Sequence, residues 1–155
     1  KKYRLSDFKG KMILLDFTAS WCHWCKVEIP YIEAVYKEMQ GKDFEIVSVY
    51  LDKKREDWVK DVRKENHPWK CLSDVMSWKK GGMAYDYYVG GIPCLIILDR
   101  DGRIVSKNTR GEETIQVIRE NYKSEFCEID SNRNDENESM DTLVQSDPGI
   151  GGNRL

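Results

Sequence analysis

Apolar and polar positions along this chain switch between the period of a strand and that of a helix, and the switches mark its elements. Met12-Ile13-Leu14-Leu15-Asp16-Phe17 is an apolar run short enough for a buried strand. From Val27 to Gln40 the apolar residues Ile32, Val35, Tyr36 and Met39 fall at i, i+3, i+4 and i+7, a core-facing helical stripe that Gly41 stops and Pro30 kinks. Phe44 to Tyr50 is β-branched and bounded by turn residues, which predicts a second strand. A helix between two such strands makes a β-α-β unit with parallel strands and a right-handed crossover.

Past Asp52 the chain is polar. Trp58 and Val62 predict a helix over 55–66 that stops before Pro68, and Ala84, Tyr85 and Tyr88 anchor a second helix within Trp78–Tyr88, weakened at its start by Gly81-Gly82. Gly90-Gly91-Ile92-Pro93 introduces the buried strand 94–99. Arg100-Asp101-Gly102-Arg103 is a hairpin signal, and Ile104–Asn108 returns antiparallel. A last helix with Ile115, Ile118 and Tyr122 on one face ends near Phe126. Ahead of all this, Tyr3–Leu5 reads as the end of a strand and 6–11 as a turn.

Composition divides the chain at its far end. Residues 128–155 hold seven acids (Glu128, Asp130, Asp135, Glu136, Glu138, Asp141 and Asp147) against Arg133 and Arg154, so the net charge of -2 hides a mildly positive body and an acidic tail. We read residues 1–127 as one domain and 128–155 as a disordered tail. The basic residues of the body are interleaved with acids and no aromatic-basic stripe accompanies them, which excludes a nucleic-acid surface. No run approaches the roughly 18 apolar residues of a membrane span, and no leader is visible at Lys1-Lys2.

The chemistry is carried by cysteine. There are five, an odd number, so they do not form a closed disulfide framework. Cys22 and Cys25 stand where the first strand hands over to the first helix. Unpaired backbone N–H groups and the macrodipole at a helix N-terminus favour a thiolate, and one helical turn brings the two sulfurs within bonding reach. That is a redox dithiol. The first cysteine of such a pair is the one exposed to solvent and to the dipole. Zinc would need further ligands at suitable spacing, which His67, Cys71 and Cys94 do not supply, so no metal is expected. Covalent haem attachment wants a histidine where Lys26 stands.

A W-C-x-x-C pair after a strand, a kinked helix, a second strand, helices, an Ile-Pro loop, a hairpin and a final helix together resemble the thioredoxin superfamily. The nearest group is the TlpA/ResA-like thiol-disulfide oxidoreductases of the bacterial cell envelope. Leu5–Lys11 resembles that group's entry motif, 52–88 its insertion into the fold, and Tyr88–Pro93 with Leu98–Gly102 its closing motif. The resemblance implies a central mixed β-sheet flanked by helices, with an insertion between the β-α-β half and the C-terminal hairpin. It makes Cys22 the attacking and Cys25 the buried resolving thiol, Asp16 the buried acid that moves a proton to and from Cys25, and Glu28 an acid near the site. Pro93 becomes a cis proline facing the disulfide, leaving the backbone of Ile92 to pair with an extended substrate. It further implies no cofactor beyond the Cys22–Cys25 disulfide, and protein thiols and disulfides as partners with an upstream electron donor. A monomer in the periplasm or cell envelope is expected, with the cytoplasm as the alternative.

Bland readings stand beside these. Glu28 in a first helical turn also suits the dipole of its own helix, and Pro93 also suits an ordinary strand entry. An acid at Asp16 within an apolar strand demands an explanation. The intervening pair is His23-Trp24 where Gly-Pro or Glu-Pro is usual. His23 is either an imidazolium that stabilises the Cys22 thiolate or a solvated neutral ring, and Trp24 shapes partner contact. Cys94, where threonine is common, is either a small apolar filler or an accessory thiol capable of exchange with Cys22. Cys71 and Cys127 are read as structural, Trp21 as a shield beside the disulfide, and Trp58, Trp69 and Trp78 as core or loop anchors. A thiol peroxidase and a redox-inactive interaction module of the same fold are the competing functions, which the pairing of both cysteines with Asp16 and Ile92-Pro93 disfavours.

Overall fold

The computed structural model describes residues 3–131, with side chains to Lys123. Five strands form one sheet in the order β3-β2-β1-β4-β5: β1 (Met12–Thr18), β2 (Phe44–Tyr50), β3 (Lys70–Leu72), β4 (Cys94–Leu98) and β5 (Ile104–Lys107). β1, β2 and β3 run parallel, β4 runs antiparallel to β1 and β5 antiparallel to β4, so the sheet is mixed. All seven residues of central β1 are buried, which requires cover on both faces of the sheet. Alternation along the strands supplies it. Met12, Leu14, Ile46, Leu95 and Ile97 face α1 (His23–Met39) and α4 (Gly111–Ser131), where Ile32, Val35, Ile115 and Ile118 meet them. Ile13, Leu15, Phe17, Val47, Val49 and Ile96 face the other way, under Phe8, Met83, Ala84 and Tyr87.

The first helix starts four residues before the Val27 at which its stripe begins and continues through Pro30. α2 (Arg55–Glu65) stops at Asn66, a left-handed cap at φ 48° whose N–H returns to the Val62 carbonyl. The helix expected within Trp78–Tyr88 is present as a single turn, α3 (Met83–Asp86). Asp74 explains the difference: its carboxylate accepts from Met76 N at 2.9 Å and Met83 N at 2.7 Å, so residues 75–82 wrap around it as a loop. No strand ends at Tyr3–Leu5 as expected: Leu5 already opens a 3-10 turn, Leu5–Phe8, before which Asp7 accepts the Arg4 N–H at 2.9 Å. β3 has no counterpart among the expected elements. α4 runs to Ser131, past its expected end near Phe126 and past the expected domain boundary at 127, and the rest of the acidic tail lies outside the described residues.

Candidate active site

Thr18 closes β1, and the chain turns through Ala19-Ser20-Trp21 into α1. Asp52, at the matching end of β2, holds this turn: its carboxylate accepts from Ser20 N at 3.1 Å and from the Ser20 hydroxyl at 2.5 Å. Cys22 follows as the N-cap of α1, with extended backbone at φ -86° and ψ 98°, and its sulfur accepts from the Cys25 N–H at 3.2 Å. The two cysteines are joined in a disulfide with Cα atoms 5.3 Å apart. They pack with Ala19 and Ile92 in a small apolar cluster at the end of the sheet. The expectation that Cys22 is open to solvent needs correction: only 5% of it is exposed, against 2% for Cys25. Ile92, partly buried, packs against the pair.

The Ile92–Pro93 bond is cis, as the resemblance implies. The Arg110 guanidinium holds this loop, donating from Nη2 to the Pro93 carbonyl and from Nη1 to the Thr109 carbonyl at 2.8 Å. His23 and Trp24 are exposed and meet edge to face, ring centroids 5.5 Å apart. The Trp21 ring is exposed, packs at 6.4 Å against Trp78, and with Trp78, Lys53, Lys54 and Asp57 lines an open groove of about 520 Å³.

Asp16 is buried beneath α1 on β1. Ser48, its register partner on β2, donates to Asp16 Oδ2 at 2.8 Å, and the Trp69 indole N–H donates to the Ser48 hydroxyl at 2.9 Å. Burial pushes the Asp16 carboxyl up to about 6. The Ser48 hydrogen bond opposes that rise, the Glu28 charge adds to it, and Arg110 works against it. An acid in this range gives and takes protons near neutral pH.

Glu28 does not use the dipole of its own helix. It is buried and its Oε2 accepts from Gly111 N at 2.8 Å, so it caps α4. Lys26, next to Cys25, reaches α2 through Asp61 at 2.9 Å and Glu65 at 3.1 Å. Burial works against its charge, but those contacts outweigh it and raise the Lys26 pKa. Between them and Cys25 lies a small cavity of about 10 Å³, lined also by Tyr50 and His67. Cys94 is buried in β4 opposite Phe17, among the residues of the face away from α1 and α4. Its placement is that of an apolar filler, with a thiol raised by burial. Cys71 on β3 is partly buried, and burial lifts its thiol to about 12. Trp58 and Trp69 are buried anchors as expected, and the Cys127 side chain lies outside those described.

Ser48, Trp69, Arg110 and Asp52 are the site residues that sequence reasoning missed. Polar Ser48 and Asp52 in or just after an apolar strand were the available signal, and nothing local marks Trp69 or Arg110.

A family model described as thioredoxin-like matches residues 10–104. The thiol-disulfide oxidoreductase ResA of Bacillus thuringiensis subsp. konkukian is 32% identical over 124 residues, 79% of this chain and 68% of that protein. The thioredoxin domain of a thiol-disulfide oxidoreductase from Bacteroides vulgatus is 32% identical and superposes with a TM-score of 0.66 over 75% of this chain and 82% of its own. A thiol:disulfide interchange protein from Bacteroides sp. is also 32% identical, with a TM-score of 0.65 over 75% of this chain and 76% of that one. With a W-C-x-x-C disulfide at the mouth of α1 and a mixed five-stranded sheet behind it, the chain belongs to the thioredoxin-like family, as a thiol-disulfide oxidoreductase.

Proposed function

We propose that this protein reduces disulfides of partner proteins, with Cys22 as the attacking thiol and Cys25 as the resolving thiol. The observation that carries the reading is Cys22 at the N-cap of α1, its sulfur already accepting a backbone N–H. A thiolate there is stabilised by that bond and by the helix dipole, so it is the better-prepared nucleophile of the two. In the reduced protein the Cys22 thiolate attacks a partner disulfide, forming a mixed disulfide and releasing one partner thiolate. Cys25 loses its proton to Asp16 and attacks the Cys22 sulfur, which closes the Cys22–Cys25 bond and releases the second partner thiolate. Two electrons have then passed from the pair to the partner, and an upstream donor must return them. The chemistry needs no cofactor beyond the two sulfurs.

Ile92 and Pro93 form the wall against which an extended partner segment lies, and exposed Trp21, His23 and Trp24 frame the approach to it. The compartment is the bacterial cell envelope, where the group this chain resembles maintains thiols, including those of apocytochrome c. No helix among the described residues is long and apolar enough to cross a membrane.

Trapping tests the assignment of roles. A Cys25→Ser variant stalls at the mixed disulfide, so partner proteins are recovered attached to Cys22, and Cys22→Ser yields none. Partners held on Cys25 alone would overturn the order. A redox titration tests direction. A potential on the thioredoxin side, near about -270 mV, supports reduction, and one near the roughly -120 mV of a strong oxidant overturns it.

A further inference from the structure

Asp16 lies at the end of a hydrogen-bond chain with a fixed sense. An indole N–H only donates, so the Ser48 hydroxyl must accept from Trp69. Ser48, Asp16 and Trp69 are all buried, and among the described residues the acceptor for the single Ser48 hydroxyl hydrogen is Asp16 Oδ2 at 2.8 Å. Donation to a carboxylate is the stronger arrangement of the two this O–O pair can adopt. The strands fix its geometry: Asp16 on β1 pairs with Ser48 on β2, and Ser48 pairs with Cys71 on β3, two residues after Trp69. The indole is itself held between His67, stacked at 4.6 Å and 6°, and Tyr36 of α1 at 5.9 Å.

We propose that Trp69 is a positioning residue for the buried acid: by donating to Ser48 it turns the Ser48 hydroxyl toward Asp16 and so favours the ionised carboxylate. This deepens the reading above and rests on Asp16 being the acid that serves Cys25. The 67–72 segment, which adds the edge strand, thereby tunes an acid two strands away. Other groups act on the same carboxyl. Glu28 on α1 and Arg110 before α4 oppose one another, while Tyr50 on β2, Cys71 on β3, Asp61 on α2 and Cys94 on β4 share its electrostatic surroundings. None of these fixes the direction of the Ser48 hydroxyl. Only Trp69 does.

The test is a carbon-13 NMR titration of the Asp16 carboxyl in the oxidised full chain, which needs no exchange reaction. Ser48→Ala removes the donor and is expected to raise the midpoint by about one pH unit, the scale of one hydrogen bond to a charged group. Trp69→Phe, with Ser48 intact, is expected to raise it by less. The double variant is expected to match Ser48→Ala alone, because Trp69 acts through Ser48. An unmoved midpoint in either single variant overturns the proposal, as does additivity in the double. Should Trp69→Phe fail to fold, the wild-type indole Nε1 proton serves: it is expected to titrate with the Asp16 midpoint, and a flat shift overturns the chain. If the titrations behave as expected but Asp16→Asn leaves the exchange rate unchanged, the hydrogen-bond chain stands and the role of Asp16 in exchange falls.

Discussion

Single residues divide this site into groups readable one at a time and groups that need a fold to meet. Cys22, Cys25, Asp16 and Pro93 announce themselves, because each is a residue type out of keeping with its local pattern: sulfurs at a strand-helix junction, an acid in an apolar run, a proline opening a buried strand. Ser48 is marked only as a polar residue in an apolar strand, and Trp69 is ordinary in its own window. Ser48 meets Asp16 across a separation of 32 residues and Trp69 meets Ser48 across 21, and no local periodicity encodes register between strands. Cys94 was readable as either a filler or an accessory thiol, and the fold favours the filler. Its place after Pro93 suggested reactivity, yet strand alternation sends it to the other face of the sheet. At this scale the sharpest expectation concerns Asp16. If it accepts the Cys25 proton, Asp16→Asn slows release of the partner from the mixed disulfide by about 100-fold, the low end of general base catalysis, while attack by Cys22 keeps its rate. Stopped-flow with a fluorescent disulfide substrate separates the steps, and an unchanged release rate sinks the assignment.

At the scale of elements, the strongly periodic ones were legible and the short ones were not. α1, β1, β2, α2 and the β4–β5 hairpin fall close to their expected positions because burial on one face or both imposes a period on the sequence. β3 has three residues and α3 one turn, too short for any period, and both depend on contacts made elsewhere: β3 on its pairing with β2, α3 on Asp74. The joint between α1 and α4 is of this kind too. Glu28 bridges them through one hydrogen bond to Gly111 N, at a backbone φ of +52° that suits glycine. Glu28→Ala is therefore expected to lower stability by about 1–2 kcal/mol, the loss of a helix cap, and Glu28→Gln, which keeps an acceptor oxygen, by less. Urea unfolding of the oxidised protein measures both. A fall in exchange rate in Glu28→Gln at unchanged stability would show instead that the charge serves the thiols.

The whole molecule carries a cost in holding an acid beneath its redox helix, and pH exposes that cost. Asp16 has a folded pKa of about 6 against 3.8 for the free group, so the folded state binds its proton more tightly than the unfolded chain does. Below 3.8 both states are protonated and the acid is neutral in its effect. As pH rises from 3.8 to about 6 the unfolded chain ionises first, stability falls, and above 6 the full penalty stands. A shift of this size corresponds to about 3 kcal/mol, a large part of the 5–15 kcal/mol that holds a domain together. Asp16→Asn removes the titration and keeps an oxygen for Ser48. The variant is expected to be more stable than the wild type at pH 8, by up to about 3 kcal/mol, and equal to it near pH 3.5 after allowing for the other carboxylates both proteins share. Denaturant unfolding at a series of pH values reads the difference directly. A constant gap across that range would mean that Asp16 is ionised or neutral throughout, and a wild type more stable at pH 8 would mean that the carboxylate is held by more favourable contacts than Ser48 and Arg110 supply.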